Sequence, residues 1–114
     1  MQFKKLYGEL IRTIERFGSE RQGGALLRDL LTYTEKEMIT KRLAVVLMLD
    51  LGIPSLRIST LLKMSPVTVY KMSLWRDRGK YASITSLSKS RRRELLEILK
   101  KIFPNNISHR KKSY

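Results

Sequence analysis

Residues 54 to 72 read Pro54-Ser-Leu-Arg-Ile-Ser-Thr-Leu-Leu-Lys-Met-Ser-Pro-Val-Thr-Val-Tyr-Lys-Met72, and the fold turns on this stretch. Pro54 and Ser55 form a helix start, and the helix runs to Leu62. Lys63-Met64 makes a tight connection. Ser65 followed by Pro66 then starts a second helix, with a capping residue ahead of a proline whose missing N–H costs nothing in the first turn. That helix extends to about Arg78 and stops at Gly79. Two short helices joined by a three- or four-residue turn are the outline of a helix-turn-helix, here about residues 54 to 79. The apolar spacing fits the outline: Ile58, Leu62, Met64, Val69 and Met72 supply the stripe that steeply crossing helices must bury, and Ser59 is small where the second helix passes close. Lys63 departs from it, because this turn commonly holds glycine and a side chain there implies an altered or strained turn. Short amphipathic helix pairs also occur as ordinary core in helical bundles.

The residues left outside the stripe point to a partner. On the second helix Ser65, Pro66, Val67, Thr68, Tyr70 and Lys71 are not needed for the core and lie where a major groove would be. Lys71 can donate to guanine O6 and N7 or to a phosphate, Ser65 and Thr68 to phosphate or base edges, and Val67 or the Thr68 methyl can touch a thymine methyl. Ser55, Arg57, Lys63, Arg76, Arg78 and Lys80 are placed to meet the sugar-phosphate rails, which fixes register without reading sequence. A solvated basic face is the competing explanation, but it does not predict positive charge on either side of one capped helix.

Residues 3 to 17 carry Phe3, Leu6, Leu10, Ile14 and Phe17 at spacings of three and four, an amphipathic helix ended by Gly18-Ser19. A second helix starts at Ser19 or Glu20 and runs to Leu31, with Gly23-Gly24 read as a loosened first turn or a close crossing. Thr32-Tyr33-Thr34-Glu35 is a capping box and opens a third helix, closed by a left-handed Gly52. Beyond Gly79, residues 80 to 87 read as a linker. Ser88 or Ser90 caps a last helix with apolar positions Leu95, Leu96, Ile98, Leu99, Ile102 and Phe103, ended by Pro104. No strand pattern or internal repeat occurs. The expectation is an all-α chain with one helical domain over residues 1–104 and a basic, disordered tail over 105–114.

Composition narrows the function. The 114 residues hold 24 Lys plus Arg against 10 Asp plus Glu, a net charge of +14 that calls for a polyanionic partner. Most of it lies beyond Gly52. The longest apolar run, Leu43 to Leu49, is far short of the roughly 20 residues a membrane span needs. The N-terminus shows no signal-peptide pattern, so a cytoplasmic protein is expected. Without cysteine there are no disulfides or thiolate metal sites. The single histidine, His109, sits in the basic tail and reads as solvated. Glu35, Glu37 and Asp50 alternate with Lys36, Lys41 and Arg42 in the manner of a solvated helix face. No catalytic group, metal site or cofactor is therefore expected.

Several stretches together resemble a known family. Leu27-Arg-Asp-Leu-Leu-Thr-Tyr-Thr-Glu35, Lys41-Arg-Leu43, Met48-Leu-Asp-Leu-Gly52 and Ser65-Pro-Val-Thr-Val-Tyr-Lys71 look like the Trp repressor family, nearest its YerC/YecD-like branch, from about residue 26 to 81. The resemblance implies a Trp repressor-like all-α fold, an intertwined homodimer, and transcription regulation, repressor-like, through operator DNA. It places Thr32, Arg42 and Lys71 at the positions that hold the tryptophan co-repressor. Met72, however, stands where the repressor has the glycine that makes room for the indole, so tryptophan is not expected as a ligand. Helix capping and ion pairing are sufficient roles for Thr32 and Arg42. Two alternatives stay open: a non-specific nucleoid or RNA-binding protein, and an antitoxin-like interaction protein. Tyr70, Trp75 and Tyr81 do not favour the RNA reading, being spread along a helix and its exit whereas single-strand binders usually present aromatics on a sheet.

Overall fold

The reciprocal cap at Thr32 forms as its sequence dictates: the Glu35 amide donates to the Thr32 hydroxyl at 3.1 Å and the Thr32 amide to the Glu35 carboxylate at 2.9 Å. In the computed structural model, which describes residues 2–18 and 20–104, this cap starts the third of seven helices. They are α1 (Phe3–Phe17), α2 (Glu20–Leu30), α3 (Tyr33–Asp50), α4 (Ser55–Leu62), α5 (Pro66–Asp77), α6 (Ala82–Ser90) and α7 (Arg92–Ile102), and no strand occurs among the described residues. No helix among them is long and apolar enough to cross a membrane.

The described residues divide into two compact units, one up to Met38 and the other from Ile39 onward, the division falling within the range of α3. In the first, α1 and α2 lie against each other and Phe3 stacks on Tyr7 with ring centroids 6.0 Å apart. Helix α2 passes through Gly23 and Gly24 without a break, so the loosened first turn expected there does not form.

The second unit holds a core of Val45, Val46, Met48, Leu51, Ile53, Ile58, Val69, Met72, Tyr81 and Leu99. Gly52, at φ 85, lets the chain reverse after α3: the Ile53 amide donates back to the Met48 carbonyl at 3.0 Å, which brings Leu51 and Ile53 into the core. Gly79, at φ 89, does the same after α5, with the Lys80 amide reaching the Trp75 carbonyl at 3.1 Å.

Residues 80 to 87 are not a linker. Tyr81, Thr85 and Ser88, with Ile84, follow helical spacing, and Tyr81 and Ser88 are buried. The stripe escapes a hydropathy reading because two of its four members, Thr85 and Ser88, are short hydroxyl side chains. Ser88 Oγ donates to the Ile84 carbonyl at 3.0 Å and Thr85 Oγ1 to the Asp50 carboxylate at 3.2 Å, so the buried Ser88 and the half-buried Thr85 both have partners. The last helix accordingly begins later than a Ser88 or Ser90 cap requires: both serines belong to α6, and Arg91 flanks α7 without a side-chain capping bond. Leu99 is buried and Leu96 and Phe103 pack on the core, while Ile98 and Ile102 are exposed. The tail expectation for 105–114, His109 included, and a helix start at Ser19 fall outside the described residues.

Candidate nucleic-acid interface

Helices α4 and α5 are joined by Lys63, Met64 and Ser65 and pack closely on each other. The turn depends on Lys63, the one non-glycine residue with positive φ among the described residues, at φ 54 and ψ 51. In that conformation its amide points back to the Thr60 carbonyl at 3.4 Å, and the Met64 amide donates to the Ser59 carbonyl at 2.9 Å. Of the altered or strained turn expected at Lys63, the strained form occurs: a left-handed non-glycine residue stands where glycine is usual. Ser59 is buried, and its hydroxyl donates to the Leu56 carbonyl of its own helix at 2.7 Å. Ile58, Val69 and Met72 are buried, and Leu62 and Met64 are partly buried against the same core. This fixes which side of α5 faces inward.

The opposite side of α5 carries the residues assigned to base edges. Ser65, Pro66, Val67, Thr68, Tyr70 and Lys71 are all exposed, Val67 at 61% and Tyr70 at 57%. Pro66 occupies the first helical position, and Ser65 flanks the helix without making a capping bond from its side chain, so the capping role expected of its hydroxyl is not taken up. The carbonyl of Ser65 instead accepts from the Val69 amide at 3.2 Å.

The residues assigned to phosphates divide. Lys63 lies just ahead of the α5 N-terminus, and Arg78 and Lys80 follow its C-terminus, so exposed cations bracket the helix at both ends. Lys80 places its ammonium 5.1 Å from the Trp75 ring centroid, a cation–π contact that steadies it beside the α5 exit. Ser55 and Arg57, on α4, are half-buried. Arg76 turns inward: its Nε donates to Asp50 at 2.5 Å, and a second nitrogen meets Asp77 at 3.4 Å.

Asp50 is the residue that sequence reasoning placed wrongly. It is not on a solvated face; its side chain is only 5% exposed, paired with Arg76, and it accepts from Thr85, while the Arg92 guanidinium donates to its backbone carbonyl at 3.3 Å. The cluster ties the end of α3 to α5, α6 and the start of α7, and it borders a cavity of about 160 Å³ lined also by Ser88 and Lys89. Its partners lie 26 and 35 residues away, beyond any local pattern. A charged residue at the buried end of an apolar helix was the only available signal.

The residues matched to a co-repressor site are divided between the two units. Thr32 belongs to the first, its hydroxyl engaged by Glu35, and Arg42 and Lys71 are exposed in the second. No carboxylate among the described residues pairs with Arg42, so its expected ion-pairing role is not taken up. Met72 fills the core beneath α5.

No family model matches the chain, and neither a curated protein nor a solved structure matches it significantly.

Proposed function

We propose that this protein is a sequence-specific, double-stranded DNA-binding transcriptional regulator, repressor-like in action, which uses α4 and α5 as a helix-turn-helix. The observation that carries the reading is the two-sidedness of α5. Val69 and Met72 lock one side into the core, leaving a protruding face of Val67, Thr68, Tyr70 and Lys71 between cations at both ends. A helix presented this way fits the major groove, with its first turns at the base edges and Lys63, Arg78 and Lys80 at the phosphates. The net charge of +14 supports the same partner through counterion release.

The finer reading is a Trp repressor-like homodimer. Phe3, Leu6, Tyr7, Leu27, Leu30 and Met38 in the first unit are all exposed, more apolar surface than a soluble monomer usually leaves open, and a second copy would cover it. Tryptophan is not the proposed effector, because Met72 occupies the core where an indole would need space.

Selection of bound duplexes from a random pool tests the proposal. A single enriched site supports it. A pool that stays random while binding falls steeply with salt overturns it in favour of charge-driven binding without readout.

A further inference from the structure

The groove-facing surface of α5 has few hydrogen-bonding side chains. From Pro66 to Leu74 the chain reads Pro-Val-Thr-Val-Tyr-Lys-Met-Ser-Leu, with no Arg, Asn, Gln, Asp or Glu. Those five residue types make the pairings that identify guanine, adenine and cytosine from the major groove, leaving Lys71 as the one strong donor. In their place Val67, Tyr70 and Leu74, spaced three and four apart, form an apolar strip that stays exposed although the other side of the helix is buried.

Charge indicates what covers this strip. Lys63 precedes it, Lys71 lies within it and Arg78 follows it, all exposed. An apolar protein groove does not need cations at both ends of the helix it receives, whereas a duplex groove has phosphates along both rims and base edges between. Among those edges the major groove offers one apolar group, the C5-methyl of thymine.

We infer that α5 reads thymine methyl groups, chiefly through Val67 and Tyr70, so that the recognised half-site is defined by where its thymines lie. This rests on the DNA-binding reading above and gives it a base class. Lys71 adds a guanine or phosphate contact at the edge of the strip.

Uracil substitution isolates the methyl, because deoxyuridine keeps the pairing and the O4 acceptor of thymidine and lacks only that group. The full chain is titrated, at one salt concentration, with the duplex enriched by selection and with the same duplex carrying uracil throughout both half-sites. The expected loss is about fourfold for each contacted methyl, and tenfold or more for the whole site. In Val67→Ala, checked for intact helicity, uracil at the base beneath residue 67 should cost much less than it costs the unaltered protein. Equal affinity for the thymine and uracil duplexes overturns the inference and leaves the DNA-binding reading standing. Methyl dependence that neither Val67→Ala nor Tyr70→Ala reduces overturns the assignment to this strip. If no duplex is enriched, the DNA-binding reading fails and the inference fails with it.

Discussion

Asp50 and Arg76 meet at 2.5 Å across 26 residues of chain, the carboxylate almost fully buried and the guanidinium with 30% of its side chain exposed. One oxygen of Asp50 accepts from both Arg76 and Thr85, and the other is buried without a partner among the described residues. Removing the guanidinium leaves a buried charge facing only a hydroxyl. Arg76→Ala is therefore expected to lower stability by about 3 kcal/mol, read from the urea midpoint at unchanged m-value. Asp50→Ala in the same background should recover part of that loss, with a coupling on the order of 1 kcal/mol or more. If Arg76 serves chiefly as a phosphate contact, Arg76→Ala will instead melt like the unaltered protein while binding DNA less well.

The inward and outward sides of α5 should separate cleanly under substitution. Val69 is fully buried and Lys71 is exposed. Val69→Asp places an unpaired charge in the core and is expected to abolish cooperative folding. Lys71→Ala should keep the helical circular dichroism and melt within about 0.5 kcal/mol of the unaltered protein, as surface changes usually do, while duplex affinity falls. Equal thermal responses from the two variants would mean that the face assignment is wrong.

Much of the local chemistry was legible in the sequence, where partners lie within about one turn of each other. The Thr32–Glu35 cap, the stops at Gly52 and Gly79 and the apolar stripe from Ile58 to Met72 all follow from single residues or from steps of two to five residues along the chain. What escaped was the burial of polar side chains. Helix α6 buries Ser88 and half-buries Thr85, residues that favour turns unless something accepts their hydroxyl protons. The acceptors are the Ile84 carbonyl, supplied by the helix itself, and Asp50, supplied by α3. Asp50 was unreadable for the complementary reason: only the folded chain brings Arg76 and Thr85 to it.

Lys63 holds a left-handed conformation at φ 54 and offers a cation ahead of α5. A non-glycine residue there costs about 1 kcal/mol, so Lys63→Gly is expected to raise stability by up to that amount. If the ammonium also neutralises a phosphate, the same variant should bind the selected duplex more weakly, with a salt slope shallower by about 0.9. A variant that is more stable and binds equally well would restrict Lys63 to the turn.

The first unit leaves Phe3 and Leu30 more than half exposed, along with Leu6 and Met38. Sedimentation at micromolar concentration is expected to give twice the 13.4 kDa chain mass. Leu6→Glu combined with Leu30→Glu should shift the equilibrium toward monomer and lower the melting temperature at the same chain concentration. A stable folded monomer of the unaltered chain would remove the dimer from the proposal.

A two-fold dimer that sets one α5 in each of two successive major grooves reads the same half-site twice, in opposite orientations. Duplex selection should therefore enrich an inverted repeat with half-site centres roughly 34–36 Å apart. The C-terminal cations should contribute differently. Arg110, Lys111 and Lys112 lie beyond the α4–α5 pair in sequence, and cations that meet phosphates add affinity without adding sequence information. Deleting residues 105 to 114 is expected to flatten the log–log dependence of affinity on salt by about 0.9 for each phosphate that the tail neutralises. The enriched motif should stay the same, because the residues proposed to meet base edges run from Ser65 to Lys71. A changed motif after deletion would mean that the tail takes part in readout, and a site without dyad symmetry would count against the two-fold dimer.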